Sequence, residues 1–211
     1  MTLQPRPMPS ALRYDLMILL ASRGREGRFR KKQVELARLA PGESVLDVGC
    51  GTGTLAIAAA RRVGATGSVT GIDPAENLLA RARGKARRAR VAVDFRAGTG
   101  DALPFEDASF DAVLSTLVLH HLPHDVLRAT VQEMRRVLRP GGRALVVDIG
   151  GVQDATKSTL HAPRGGHVGF DLRELAPRFE PVGFTDIMSG PVDSYMPRLE
   201  KLWYVVAAAA G

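Results

Sequence analysis

The chain has 211 residues, of which 45% are hydrophobic, and this predicts one domain with a full core. No run of about 18 uncharged apolar residues occurs and the opening residues lack an apolar stretch, so the sequence predicts neither a membrane span nor a signal peptide, and we expect a cytoplasmic protein. The single cysteine, Cys50, excludes an internal disulfide and a zinc site built from several cysteines.

The net charge of +7 is concentrated in two segments. Residues 1–40 carry nine basic and three acidic residues, and residues 75–90 carry six basic residues and one acidic residue. Because 24 of the 29 basic residues are Arg in a chain rich in Ala and Gly, we interpret the excess as solvated helix faces and not as a nucleic-acid surface.

The first forty residues predict an N-terminal helical segment in front of a main domain at residues 41–211. A Pro-rich opening is followed by an apolar stretch at residues 14–20 and by a basic helix start at residues 23–32. Apolar residues at helical spacing then run up to Pro41-Gly42, which ends the helix: Val34, Leu36, Ala37, Leu39 and Ala40.

Residues 44–54 predict a strand, a tight turn and a helix. An apolar run at residues 45–48 is broken by glycines at 49, 51 and 53, and a helical pattern follows at residues 55–63. Glycine permits backbone conformations that other residues avoid and lets a ligand approach closely, while the helix directs its N–H groups into the gap. The stretch therefore predicts a site for a small polar ligand.

The spacing of the three glycines limits which ligands the turn can bind. A dinucleotide fingerprint needs G-x-G-x-x-G, but Thr54 occupies the sixth position, and the Lys of a P-loop is missing. With Asp47 before the first glycine, the stretch resembles the first motif of class I S-adenosylmethionine-dependent methyltransferases. The resemblance implies that cofactor contacts come from the residues of this motif: Asp47, Gly49, Cys50, Gly51, Thr52 and Gly53.

The same resemblance predicts an α/β fold, a Rossmann-like seven-stranded, mostly parallel sheet with helices on both faces and a C-terminal antiparallel hairpin. In this family an N-terminal helical cap lies over the pocket and places a Tyr-Asp pair near the methionine end of the cofactor. Tyr14-Asp15 matches that pair, and a simple helix-packing role for Tyr14 is the alternative interpretation.

The second predicted strand, residues 68–72, ends at Asp73-Pro74. Asp73 lies 20 residues after Gly53, where a carboxylate at the end of a strand can accept hydrogen bonds from both ribose hydroxyls, so both residues are assigned to the cofactor. Pro74 starts a helix at residues 75 to about 89, and we expect the six basic side chains of residues 75–90 to point outward. The inner stripe of this helix is apolar: Leu78, Leu79, Ala82 and Ala86.

The third predicted strand, residues 91–95, leads to the segment expected to contact adenine. Similar proteins show Gly-Asp-Ala-x-x-Leu-Pro-Phe here, with the Asp accepting the adenine amino group. When the segment is aligned on residues 103–105, Thr99 stands where the family has its Asp, and Gly100 follows it. Asp101 then lies two residues after the position of the family's Asp. Two interpretations stay open, Thr99 with Gly100, or Asp101 in a shifted register.

The fourth predicted strand, residues 110–116, is almost wholly apolar and is expected to be central. It carries Ser115 and leads to His120-His121, a helix at residues 124–138, a turn at 139–142 and a fifth strand at 144–149. Since the carboxyl ends of parallel strands meet at one edge, we expect one crevice to be lined by these parts of the chain: residues 47–53, Asp73, residues 99–101, residues 115–121 and Asp148.

The C-terminal quarter predicts a long loop and then the closing hairpin. Residues 150–169 hold His161 and His167 without any period, which is typical of a functional loop. A helix at residues 170–179 and strands at 182–188 and 202–208 complete the predicted sheet.

The chemistry follows from the cofactor that the resemblance implies. A methyl group on a sulfonium needs mainly alignment with its acceptor and exclusion of water. A base helps if the acceptor must lose a proton, and histidine suits neutral pH. His120 and His121 follow the fourth strand; His121 is assigned as the catalytic base and His120 to the cofactor crevice, with backbone hydrogen bonding as the alternative role. No metal site is predicted.

The resemblance covers roughly residues 10–190 and is closest to the C-methyltransferases of ubiquinone and menaquinone biosynthesis. It implies in-line methylation of a small molecule or lipid precursor at carbon, oxygen or nitrogen. The Asn/Asp-Pro-Pro-Tyr/Phe signature of nucleic-acid amino methyltransferases is replaced by residues 115–118, and Cys50 lies inside the cofactor loop, which argues against a nucleic-acid base as substrate.

Two alternatives remain beside this interpretation. The basic N-terminal segment next to residues 17–20 favours contact with a membrane surface and a phospholipid-amine acceptor. A cofactor-binding module without catalysis is the other alternative.

Overall fold

The computed structural model describes residues 24–149, 171–192 and 202–210, which form five α-helices and seven β-strands. The helices are α1 Glu26–Leu36, α2 Thr54–Val63, α3 Glu76–Ala89, α4 His124–Val137 and α5 Leu172–Leu175. The strands are β1 Ser44–Val48, β2 Ser68–Asp73, β3 Asp94–Ala97, β4 Phe110–Thr116, β5 Leu138–Ile149, β6 Phe184–Val192 and β7 Leu202–Ala209.

The seven strands form one sheet in the order β3-β2-β1-β4-β5-β7-β6. Strands β1 to β5 are parallel, and β7 pairs antiparallel with both β5 and β6. The predicted seven-stranded, mostly parallel sheet with its antiparallel hairpin is therefore confirmed. The strand order reverses beside β1, which makes the carboxyl ends of β1 and β4 the switch point where open parallel sheets bind ligands.

Helices cover both faces of the sheet, as predicted. One buried cluster joins Phe29 of α1 and Leu55 of α2 to Leu79 of α3. The cluster on the opposite face is built around Met134 of α4 and Phe179. Strand β4, whose bounds match the prediction, lies in the middle of the sheet between these two apolar layers, because its residues are apolar on both faces.

Helix α1 ends at Leu36, four residues before the predicted end. The backbone turns at Arg38, which has a φ of 50°, and the carbonyl groups there accept hydrogen bonds from the guanidinium of Arg143 on β5. Arg143 Nε lies 2.5 Å from Ala37 O and Nη2 lies 2.9 Å from Arg38 O. The same guanidinium forms two hydrogen bonds with Glu43, at 2.9 and 2.7 Å. Arg143 therefore ends the helix and ties it to the sheet.

Strand β3 begins at Asp94 instead of residue 91. The residue after α3, Arg90, adopts a left-handed conformation with φ 56°, and Val91 N donates to Ala86 O in the last turn of the helix. Val91 and Val93 pack against the core cluster without pairing with β2. The alternating apolar residues that predicted a strand thus finish the helix and cover its end.

The C-terminal helix is also shorter than predicted. Helix α5 has four residues and is followed by 3₁₀ turns at Ala176–Arg178 and Glu180–Val182. Pro177 and Pro181 lack the N–H that a continuous helix would need. Strand β6 therefore starts two residues later than predicted, at Phe184, and continues to Val192, whereas β7 agrees with the prediction to one residue.

Of the six basic residues at positions 81–90, five on α3 and one just after it, three are partly buried and not fully exposed on the outer face as predicted: Arg81, Arg83 and Lys85. Arg83 Nη2 donates to Phe95 O at 2.9 Å. The remaining three, Arg87, Arg88 and Arg90, are exposed.

Tyr14, the apolar stretch at residues 14–20 and the loop at residues 150–169 lie outside the described residues, and the proposed boundary at residue 40 stays a prediction. Within the described ranges, no helix is long and apolar enough to cross a membrane.

Replacing Arg143 tests the tie between α1 and the sheet. The Arg143→Ala substitution removes a two-point hydrogen bond to Glu43 and leaves two backbone carbonyls without their donor, so we expect the free energy of unfolding to fall by about 1–3 kcal/mol. Urea unfolding measures this value. Lys31→Ala removes an exposed 3.9 Å pair with Glu35 and serves as the control, with a change within about 0.5 kcal/mol.

The same substitution has a pH signature. Burial raises the pKa of Glu43, but hydrogen bonds from Arg143 and from Ala40 N outweigh burial and hold that pKa below its usual value. A carboxyl whose folded pKa is lowered adds stability above its unfolded pKa and loses it as the pH falls through the folded pKa. The difference between the wild type and Arg143→Ala should therefore be full at pH 7 and shrink below about pH 4. An undiminished difference at pH 3 would contradict a role for Glu43.

Candidate functional site

The turn between β1 and α2 has the backbone that its glycines predict. Gly49, Gly51 and Gly53 have φ values of 72°, 53° and 78°, in the left-handed region that side chains rarely adopt. Gly49 N and Cys50 N both donate to Ile72 O, at 2.8 and 3.0 Å, which ties the turn to β2. The predicted strand, turn and helix are present with this connection.

The same turn is closely packed on two sides. A Cβ at Gly49 would overlap the side chain of Val118, which follows β4. A Cβ at Gly53 would lie 2.7 Å from Phe95 Cζ and 2.8 Å from Ala82 Cβ. The turn therefore fits between the end of β4 and the α3 side of the sheet only with glycine at both positions.

Asp47 is a buried carboxyl group at the end of β1, with 2% of its surface exposed. It accepts a hydrogen bond from Ala56 N in the first turn of α2, while its Oδ2 has no hydrogen-bond partner among the described residues. Burial raises the pKa of Asp47 to about 7, although the positive charge of Arg30 opposes this. A buried carboxylate oxygen without a partner is costly, so this atom fits a donor or a cation supplied by a ligand.

Asp73 ends β2 and holds the glycine turn directly. Its Oδ2 accepts from Gly51 N and its Oδ1 accepts from Ala75 N, both at 2.9 Å. Burial raises the pKa of Asp73. Each carboxylate oxygen has two lone pairs, so one acceptor position on each oxygen remains for a hydroxyl group. Pro74, predicted as a cofactor contact, follows it at an exposed position.

Of the side chains near the turn, one contacts the loop and another is buried in the core. Lys85 Nζ lies 2.8 Å from Thr52 Oγ1, so a basic residue of α3 reaches the loop. The Cys50 thiol is buried, which raises its pKa, and a Cβ at Gly71 would lie 2.9 Å from its sulfur. Cys50 therefore turns its side chain toward the sheet and contributes its backbone to the loop.

The sequence did not predict a polar face on α1. Arg30 Nε donates to Thr54 Oγ1 at 3.1 Å, and the fully buried Gln33 donates to Thr116 Oγ1 at 3.0 Å. Glu26 accepts from Thr54 Oγ1 at 2.7 Å. The spacing of Glu26, Arg30 and Gln33 at i, i+4 and i+7 is the signal that could have shown this face.

The segment predicted to contact adenine lies beside the end of β1. A Cβ at Gly100 would lie 3.0 Å from Val48 Cγ1 and 2.8 Å from Thr130 Cγ2 on α4. Thr99 is exposed and Asp101 is partly buried. Gly100 thus fixes the segment against the switch point, and Thr99 and Asp101 both remain candidates for the adenine contact.

The chain leaves β4 through a strained residue. Ser115 is fully buried, and its Oγ has no partner among the described residues. Leu117 has a φ of 57°, an unusual value for a branched side chain, while its N–H donates to Val147 O at 2.9 Å. A 3₁₀ turn, Leu119–His121, follows and presents the two histidines at the carboxyl ends of β4 and β5.

One of these histidines is held by a buried carboxylate. His120 Nδ1 lies 2.6 Å from Oδ1 of Asp148, which is fully buried at the end of β5. His121 is exposed, and its ring centroid lies 3.8 Å from that of His120. The side of the His121 ring that packs against His120 is shielded from water, and this desolvation together with the neighbouring imidazole lowers the pKa of His121.

The predicted residues at the ends of β1, β2 and β4 thus lie next to one another at one edge of the sheet, and Tyr14 is outside the described residues. Across the described ranges, His, Cys, Asp and Glu side chains nowhere form a group of three that could hold a metal ion. The roles assigned to the individual residues stay predictions.

The sequence matches known methyltransferases. Residues 45–142 match the family model described as a methyltransferase domain. The demethylmenaquinone methyltransferase of Desulfitobacterium hafniense is 38% identical over 141 residues, which are 66% of this chain and 55% of that protein. The chain thus spans about half the length of this curated relative. The predicted likeness to the menaquinone type is confirmed.

Solved structures agree on the fold. A S-adenosylmethionine-dependent methyltransferase from Aquifex aeolicus is similar with a TM-score of 0.70 and 20% identity, over 86% of this chain and 89% of that chain. The [4+2]-cyclase SpnF is similar with a TM-score of 0.71 and 22% identity, over 87% and 81% of the two chains. These identities show the fold alone, and one fold can host different reactions. Together, the glycine motif, the sheet order and the match of residues 45–142 to the methyltransferase-domain model support a class I, S-adenosylmethionine-dependent methyltransferase domain in this chain.

Proposed function

We propose that the chain is a S-adenosylmethionine-dependent methyltransferase that acts on a small molecule or lipid precursor with a quinone-type ring. The observation that carries the proposal is the glycine turn held between two buried carboxyl groups, Asp47 and Asp73, one of which has an oxygen without a partner in the described structure. The family model and the curated relative support the reaction type.

The residues present fit this cofactor. Its ammonium group suits Asp47 Oδ2, since a buried carboxylate oxygen needs a donor or a cation. The ribose hydroxyls suit the remaining acceptor positions of Asp73. Backbone groups of the turn and the segment at residues 99–101 would enclose the adenosyl part. Ser115 and His120 lie on the β4 side, and Tyr14 remains a proposed contact near the methionine end.

Bound S-adenosylmethionine supplies a methyl group on a positively charged sulfur, which is a good leaving group. The chain's own task is to bind the acceptor in line with that methyl group and to exclude water. The strained exit of β4 at Leu117 and the 3₁₀ turn after it determine where side chains of this segment stand relative to the cofactor turn. Catalysis in this account therefore rests mainly on position.

The proposed class of methyl acceptor is inferred from the curated relative. That protein is named a demethylmenaquinone methyltransferase, and it aligns with 141 residues of this chain. A quinone precursor carries a long apolar tail, so contact with a membrane surface fits the same proposal. Neither the oligomeric state nor the atom methylated is assigned.

Titration and turnover test the proposal together. Calorimetry with S-adenosylmethionine and S-adenosylhomocysteine should show one site for each chain, and a panel containing 1,4-naphthohydroquinone, phenols and phospholipid amines should release S-adenosylhomocysteine only with acceptors of the correct class. Binding without turnover on any acceptor would favour a cofactor-binding module. The proposal would be falsified if neither compound bound.

Substitutions at two glycines with the same φ distinguish the effect of backbone strain from the effect of close packing. Gly49 and Gly64 both have a φ of 72°, but a Cβ at Gly64 meets nothing within 4 Å. We expect Gly64→Ala to lower stability by about 1–3 kcal/mol, because a φ of 72° with a ψ of −166° is a conformation that essentially only glycine adopts, with cofactor affinity unchanged. Gly49→Ala adds the overlap with Val118, so stability should fall further and affinity should fall by at least about tenfold. Equal affinities in the two variants would show that the turn tolerates displacement.

The raised pKa of Asp47 predicts proton release on binding. With a pKa of about 7, Asp47 is mostly protonated at pH 6, and a cationic ligand favours its charged form. Binding of S-adenosylmethionine at pH 6 should therefore release close to one proton, and its affinity should rise from pH 5 to pH 7. Calorimetry in buffers of different ionisation enthalpy measures the release. Asp47→Asn should abolish it, and release that persists in this variant would assign the proton to another group.

A further inference from the structure

The loop between β3 and β4 contains the segment predicted to contact adenine, and it is held at two points. At its start, Gly98 N donates to Asp73 O at the end of β2, at 3.2 Å. Further along, Leu103 N donates to Oε2 of Glu133 on α4, at 2.8 Å. Residues 99–102 therefore lie between two fixed positions, and the first of these is the residue proposed to bind the ribose.

The guanidinium of Arg136, also on α4, binds the same loop through its backbone carbonyls. Nη1 donates to Phe105 O at 2.8 Å, and Nη2 donates to Leu103 O at 3.1 Å. Nη1 also lies 2.7 Å from Asp107 Oδ1. Because Glu133 binds the N–H of Leu103 and Arg136 binds its C=O, this residue cannot shift without breaking contacts with α4.

Glu133 and Arg136, which we call the α4 ion pair, also fix each other. Arg136 Nε lies 2.7 Å from Glu133 Oε1, and Nη2 lies 2.7 Å from Oε2, so the two side chains meet at two points. The planar guanidinium matches a carboxylate in this geometry and still has N–H groups for the loop. The hydrogen bonds from Arg136 outweigh burial and hold the pKa of Glu133 below its usual value. The pair is therefore charged at neutral pH.

Contacts between α4 and the loop continue into the segment predicted to contact adenine. Thr130 lies three residues before Glu133, on the preceding turn of the helix. It is fully buried, and a Cβ at Gly100 would lie 2.8 Å from its Cγ2. Successive turns of α4 thus follow the loop from Gly100 to Phe105, so a change at the ion pair would be felt at Gly100.

We propose that the α4 ion pair positions residues 99–101 for contact with adenine and thereby determines the affinity for the cofactor. This inference rests on the proposed function. Both members of the pair are positioning residues, because they act through the backbone of Leu103 and Phe105. The effect is therefore the same whichever of the two candidate side chains contacts the adenine amino group.

Calorimetry on the full chain with two ligands tests the proposal. Arg136→Ala removes both carbonyl contacts, so the Kd of S-adenosylhomocysteine should rise by about 3- to 30-fold. The Kd of S-inosylhomocysteine, in which an oxygen replaces the adenine amino group, should rise less. The preference of the protein for the amino group should therefore fall. Glu133→Ala should act in the same direction, and Arg136→Lys should restore only part of the affinity, because an ammonium group lacks the planar fork.

Arg139→Ala is the matched control. It removes an ion pair of the same length, since Arg139 Nη1 lies 2.7 Å from Asp111 Oδ1 at the start of β4. Both ligand affinities should stay within about twofold of the wild type, although stability falls. If Arg136→Ala does not fold, as measured by circular dichroism, Glu133→Ala and Arg136→Lys provide the same comparison.

A double-mutant cycle shows whether the pair acts through the loop. The variant with both Thr99→Ala and Asp101→Ala lacks each candidate contact to the adenine amino group. In that background Arg136→Ala should change the Kd of S-adenosylhomocysteine by less than about twofold.

Four results would overturn the proposal. These are unchanged affinity in the ion-pair variants, an equal rise in Kd for the two ligands, an undiminished effect in the double variant, and equal wild-type affinities for the two ligands. Absence of S-adenosylhomocysteine binding to the wild type would instead reject the proposed function.

Discussion

The contact between Gly49 and Val118 is the constraint on which the rest of the site depends. It joins the turn after β1 to the chain leaving β4, and those two strands are neighbours at the switch point of the sheet. Backbone in the left-handed region is needed for this approach, and a side chain would prevent it. Because Asp73 binds the opposite side of the turn through Gly51 N, the loop has little freedom to move away. The position of the turn relative to the ends of β2 and β4 is therefore fixed by this packing.

The buried carboxyl groups determine which ligand charge this part of the protein favours. Asp47 and Asp73 are both buried, and burial raises the pKa of each, so both would be more stable near a positive charge. On the β4 side, Asp148 already has a partner in His120. The two sides therefore differ: on one side Asp47 Oδ2 has no partner among the described residues and suits a cationic ligand, and on the other side the Asp148 carboxylate is already paired with His120.

The sequence predicted the parts of the structure that local patterns determine. Glycine spacing and apolar runs located the β1 turn, β4 and the closing hairpin, because each depends on residues adjacent in the chain. The errors occurred where distant residues decide. Helix α1 ends early where Arg143 binds the carbonyl groups of Ala37 and Arg38, and β3 starts late because Val91 finishes α3. The hydrogen bond between His120 and Asp148 could not be predicted for the same reason, since Asp148 lies 28 residues away along the chain.

The central claim is that the carboxyl ends of β1, β2 and β4 bind S-adenosylmethionine through the glycine turn. A crystal of the protein grown with S-adenosylhomocysteine tests it most directly. The account predicts density for the amino group beside Asp47 Oδ2, for the ribose at Asp73 and for adenine at residues 99–101. Density for the ligand at any other place, or none at saturating concentration, would contradict it.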